Sequence, residues 1–142
     1  MVLSNSNNNE RIETTILRNL FFNEDYTRKV LPFLKSLYFT KRDEKLLFNQ
    51  VNDFVNKYKN LPTKEAILIE LNARKDINEE EYKSVKELIN TISHEEVEQQ
   101  WLLDTTEKFC KDRAVHNAVL DGIKILDNKD TKRTPEAIPI IF

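Results

Sequence analysis

The sequence holds one glycine and one cysteine in 142 residues, with four prolines and one tryptophan. A single glycine cannot build a phosphate-cradling loop, and neither G-x-x-x-x-G-K-[ST] nor G-x-G-x-x-G occurs. So little glycine, beside abundant Leu, Ile, Glu and Lys, argues against a turn-rich fold and predicts an all-α protein. One cysteine excludes an internal disulfide and fits a reducing compartment. No apolar run approaches the roughly 18 residues of a membrane span, and no charged-then-apolar leader is read, so neither a span nor a secretion signal is expected. Charge of one sign is not in excess either. The 22 Lys and Arg face 24 Asp and Glu, for a net charge of -2, which supplies no general reason for strong non-specific nucleic-acid binding.

What is present is a series of helical patterns. "SNSNNN", Ser4 to Asn9, makes residues 1–9 a polar tail expected to be disordered until Asn8 or Asn9 caps the first helix. Ile12, Ile16, Leu17 and Leu20 share one helical face. A shorter helix around Glu24 to Leu37 is interrupted by Pro32, which removes an amide donor. Leu47, Val51, Phe54, Val55 and Tyr58 follow the helical repeat closely. "NLPT" stops that helix, and Thr63 caps the next, with Ile67, Leu68 and Leu71 on its apolar side. Asn78 and Glu81 predict another cap, ahead of a face formed by Tyr82, Val85, Leu88, Ile89 and Ile92. Residues 10–93 therefore read as a helical bundle. Ser93 with Glu96 is an S-x-x-E capping box, expected to open a long last helix from about His94 to Asp127, on the order of 50 Å in length. Thr134 as cap and Pro135 at the first helical position announce one more helix. The chain then ends in "AIPIIF", a helix begun without length, which predicts that it is part of a longer protein.

The residue types that build chemical sites do not converge. Cys110 and His116 stand about 240° apart on a helix and cannot share a metal or form a nucleophile–base pair. His94 and Glu98 lie at i, i+4, but "HEEVE" lacks the second histidine of a zinc motif. His94 and His116 read as surface residues and Cys110 as a small apolar one. No apolar-flanked carboxylate pair stands out. No catalytic, cofactor-binding or metal-ligating residue is therefore assigned. A helix-turn-helix around "NARKDIN" would aim Glu79, Glu80 and Glu81 at DNA phosphates, which argues against it.

The long helix carries two apolar stripes. Val97, Trp101, Leu102, Phe109, Val115, Val119, Ile123 and Leu126 form a bulky one, expected to close the core. Leu103, Cys110, Ala114, Ala118 and Ile125 form a second, with small central residues that would let another helix approach closely. It is the candidate helix-packing or oligomer interface. Its partner would be the helix beginning at Thr134, a second subunit, or both; otherwise one bundle buries both stripes around a central helix.

Three segments, "LFFNEDYTRKVLPFLKSLYF", "LFNQVNDFVNKYKNLPTKEAILIEL" and "WLLDTTEKFCKDRAVHNAV", resemble in order and spacing the N-terminal domain of DnaB-like replicative helicases, in the version carried by T-even-like bacteriophages. The likeness runs from about Ile12 to Phe142. Its most specific parts are Lys57 to Ile67 and W-x4-TEKF-x3-RA-x2-NA from Trp101 to Ala118. The resemblance implies a small helical bundle followed by a helical hairpin at 94–142, incomplete at its second arm. It implies dimers that build a collar on a hexameric ring, and docking of primase and a helicase loader. DNA would be engaged mainly by an ATPase domain that lies outside this chain and would use ATP and Mg. The setting implied is the cytoplasm of a bacterial host. Pro139 departs from the pattern, falling early in the second arm. The alternative is a self-contained small helical nucleic-acid-binding or regulatory protein.

Overall fold

The computed structural model describes residues 11–132. The polar tail, the cap expected at Asn8 or Asn9, the helix expected from Thr134 and Pro135, and Pro139 lie outside them. Among the described residues every regular element is helical, the all-α class that the composition predicts. The helices are α1 (Ile12–Phe22), α2 (Glu24–Val30), α3 (Arg42–Tyr58), α4 (Lys64–Ala73), α5 (Glu79–Asn90) and α6 (Gln99–Lys132).

Local chemistry sets most of the boundaries. The Asn23 side chain accepts the Tyr26 N–H at 3.1 Å and opens α2. Pro32 ends it, and the chain continues through two short 3₁₀ turns, Leu31–Phe33 and Ser36–Tyr38. Thr63 Oγ1 accepts the Ala66 N–H at 3.1 Å and starts α4. At α5 the predicted box is complete: Asn78 Oδ1 takes the Glu81 N–H at 2.7 Å and Glu81 Oε1 takes the Asn78 N–H at 3.1 Å. Helix α3 ends at Lys59 with φ 60°, a left-handed position usually given to glycine.

The bundle is built around α1. Ile16, Leu17 and Leu20 are fully buried, and the polar Glu13, Thr15, Arg18 and Asn19 of the same helix are buried with them. Its burial extends well beyond the single face expected, because α2, α3 and α6 all pack against it. Tyr26 of α2, Leu47, Phe48 and Val51 of α3, Ile67 and Leu71 of α4, and Val85 and Ile89 of α5 complete the core. Phe39 stacks on Phe48 with centroids 5.3 Å apart and meets Phe109 of α6 at 5.7 Å.

The start of the long helix differs from expectation. Residues 92–98 are non-helical, and α6 begins at Gln99 rather than His94. The Ser93–Glu96 box is not used. Glu98 caps instead, its Oε1 accepting the Trp101 N–H at 2.7 Å. The irregular run lays the His94 ring edge-on to Phe22 at 5.4 Å and brings Glu95 to 3.9 Å from buried Arg18. A helix started at His94 would give up both contacts.

One buried polar bond ties α6 to α2. Tyr26 Oη and Thr106 Oγ1 lie 2.6 Å apart, and burial pushes the Tyr26 phenol well above its ordinary value, against the lowering effect of that bond. Thr106→Val strands the phenol and should cost about 1–3 kcal/mol in urea unfolding. Tyr26→Phe combined with Thr106→Val should recover part of that loss, because an apolar pair leaves nothing unsatisfied.

Candidate interaction surface on the long helix

Helix α6 passes from a packed half to a projecting half. In the packed half Leu102 and Phe109 are buried and Thr106 meets Tyr26. At the crossing point Arg113 donates to Glu13 at 3.3 Å, with its guanidinium 5.9 Å from the Phe109 ring centroid. Arg11 also binds Glu13, at 2.9 Å, and pairs with Glu44, whose Oε1 accepts the Lys41 N–H. Two buried carboxylates are thus shared by two arginines, from the chain ahead of α1 and from α6. Asn117 donates to the Leu37 carbonyl at 3.2 Å, one turn further along.

Beyond Arg113 the apolar side chains face away from the bundle. Val115 is 64% exposed, Val119 56% and Ile123 49%, and Leu126 is exposed beside them. This corrects the expectation that the bulky stripe closes the core. Only Leu102 and Phe109 of that stripe are buried and Val97 is partly so, whereas Trp101 is 50% exposed. The two sets occupy different sides of the helix. At about 100° per residue, Leu102, Phe109 and Arg113 cluster toward the bundle, while Trp101, Val115, Val119, Ile123 and Leu126 lie roughly 100–120° around from them. Reading them as one stripe averaged over a face too wide for one partner.

The second stripe divides by position. Leu103 and Cys110 are half-buried and, with Val30 and Phe33, line an apolar cleft of about 430 Å³ against α2. Burial there pushes the Cys110 thiol up, which favours its protonated form. Ala114, Ala118 and Ile125 are exposed on the projecting half. From Ala114 to Leu126 the two stripes merge: Ala114, Ile125, Ala118, Gly122, Val115, Leu126, Val119 and Ile123 follow one another around roughly 180° of helix surface with no polar residue among them. The signal for this merged face was the absence of charge between the stripes after Arg113. His116 is exposed on the flank of this face, six residues from Cys110. Among the described residues no group of three His, Cys, Asp or Glu is placed to hold a metal ion, and no helix is long and apolar enough to cross a membrane. The chemistry this surface offers is close, dry packing.

Comparison with known proteins agrees with the resemblance in the sequence. The chain is 34% identical, over 89% of its length, to a DnaB-like replicative helicase of Enterobacteria phage T4. It is similar to part of a DnaB-like replicative helicase. The chain spans 28% of that relative's length, and no protein-family model matches it. The DnaB-like segments quoted above fall on the end of α1 with α2 and the two 3₁₀ turns, on α3 with α4, and on α6 from Trp101 to Val119, across its packed half and into its projecting half.

The junction also has a pH signature. Burial pushes the Glu44 carboxyl above the ordinary glutamate range, against the lowering effect of Arg11. The neutral form is favoured more by the folded than by the unfolded chain. Its contribution to stability is therefore fully present at low pH and is lost as pH rises through the raised value. Glu44→Gln cannot titrate. In urea unfolding between about pH 4 and pH 7, the wild type should gain stability relative to Glu44→Gln as pH falls, and a difference that moves the opposite way would contradict this account.

Proposed function

We propose that this chain is the N-terminal, non-catalytic collar domain of a hexameric replicative DNA helicase, in which it mediates oligomerisation and docks primase and the helicase loader. The observation that carries the reading is the wide apolar face that α6 holds away from the bundle, in a chain related to a DnaB-like replicative helicase. In this reading residues 10–93 form the body and 94–142 begin a helical hairpin with α6 as its first arm. Leu103, Cys110, Ala114, Ala118 and Ile125 pack against the second arm or against the arm of a neighbouring subunit. Small residues at Ala114 and Ala118 suit close helix approach, and Val115, Val119 and Ile123 supply apolar area. ATP, Mg and most of the DNA contacts belong to the ATPase domain of the parent protein. Kinship with a helicase weighs against a self-contained nucleic-acid-binding or regulatory protein.

The test is made in the full-length parent protein. Ala114→Glu with Ala118→Glu places two carboxylates on the face and should abolish the hexamer in sedimentation velocity. Ile69→Glu, at a residue 70% exposed on α4, should leave assembly intact. Circular dichroism should show the same helix content in both variants. Hexamers and primase stimulation that survive the double substitution unchanged would remove this face from the interface.

A further inference from the structure

We propose that the cleft between α2 and the end of α3 is a binding groove for an extended, anionic peptide segment of a partner protein, held along its backbone by Asn52, Asn56 and Asn60. The cleft measures about 480 Å³. Its apolar lining comes from Leu31 and Leu34, both buried, and from half-buried Val55. Asn52 and Asn56 line it from one side of α3, one turn apart. The left-handed turn at Lys59 ends α3, and Asn60 and Leu61 just beyond it line the same cleft.

A side-chain amide offers a carbonyl acceptor and an N–H donor, the complement of a peptide group. Most of this capacity is uncommitted. Asn56 Nδ2 reaches Asn52 Oδ1 only at a long 3.4 Å, so the Asn52 donors and the Asn56 carbonyl remain available to a ligand. The spacing suits a strand. Residues one helical turn apart, at i and i+4, are separated by about 6 Å along the axis, and an extended chain repeats every two residues at about 6.6 Å. The Asn52 and Asn56 amides can therefore pair with alternate peptide groups of one strand edge, and Asn60 lines the cleft beyond them. Alternate side chains of that strand then fall on Leu31, Leu34 and Val55, while the others face water.

Charge sets the end of the segment. Arg28 is held by Glu24, with Nε 3.0 Å from its carboxylate, so these two charges of the cleft cancel. Lys59 lines the cleft without an ion pair among the described residues. One uncompensated positive charge at the α3 end calls for a carboxylate there, from an acidic side chain or a chain terminus. The inference does not depend on how α6 associates.

The probe is an acetylated peptide, Leu-Ser-Leu-Ser-Leu-Asp, titrated to millimolar concentration into the ¹⁵N-labelled chain. The side-chain amide signals of Asn52, Asn56 and Asn60 should shift together. Asn52→Ala with Asn56→Ala should weaken binding about tenfold without lowering the unfolding temperature by more than a few degrees. Methylating the peptide's backbone nitrogens should weaken binding to a similar degree, and this arm leaves the protein untouched. Replacing Asp by Lys in the peptide should also weaken it, with a difference that shrinks as salt is added. No shift at the three amides, or an N-methylated peptide that binds equally well, would overturn the proposal. Equal binding of the Asp and Lys peptides would overturn its anionic part.

Discussion

Two carboxylates buried side by side, Glu13 and Glu44, set the terms on which the long helix meets the body. Neither can stay charged in the interior without a partner. Arg11 reaches both, and Arg113 comes from α6 to the first. The residue before α1, the first turn of α3 and the middle of α6 are thereby brought to one point. Arg113 also lies against the Phe109 ring, which meets Phe39 and Tyr38. The charged group and the aromatic cluster therefore fix the same turn of α6 from two sides. Moving α6 along its axis would break the Arg113–Glu13 bond and open the aromatic contact together.

That fixed turn divides α6 into two regimes, and its solvent side shows the division most plainly. On the packed half, exposed positions carry i, i+4 ion pairs, Glu107 with Lys111 and Lys108 with Asp112. Such pairs are what a helix surface facing only water is expected to hold. After Arg113 the outward positions turn to valine, isoleucine, leucine and alanine, and His116, Asn117, Asp121 and Lys124 gather on the remaining side. The change takes place within one turn. A helix meant to end in water would have kept the charged pattern, whereas one meant to be covered gains by losing it, since an apolar area of this breadth is costly to leave exposed.

Much of the body was legible because its boundaries are decided locally. Asn23, Thr63 and Asn78 each cap a helix through a side chain three residues from its target, and Pro32 breaks one by chemistry internal to the residue. The core positions of α3, α4 and α5 followed the helical repeat for the same reason. The misreadings share the opposite cause. Ser93 and Glu96 satisfy the local rule for a helix start, yet the chain stays non-helical there and places His94 on Phe22 and Glu95 near Arg18, residues more than seventy positions away. The bulky stripe of α6 was misjudged because periodicity reports which residues share a face without reporting what lies opposite it. Leu102 and Val119 are equally apolar in sequence, and only the placement of the bundle makes one core and the other surface. The cleft at Asn52 and Asn56 escaped the sequence reading on similar grounds. Asparagines at i, i+4 on a polar helix side look like ordinary solvent-facing residues until α2 and the 3₁₀ turn after it are packed beside them. A groove is a property of two elements, and the helical repeat of α3 says nothing of the second.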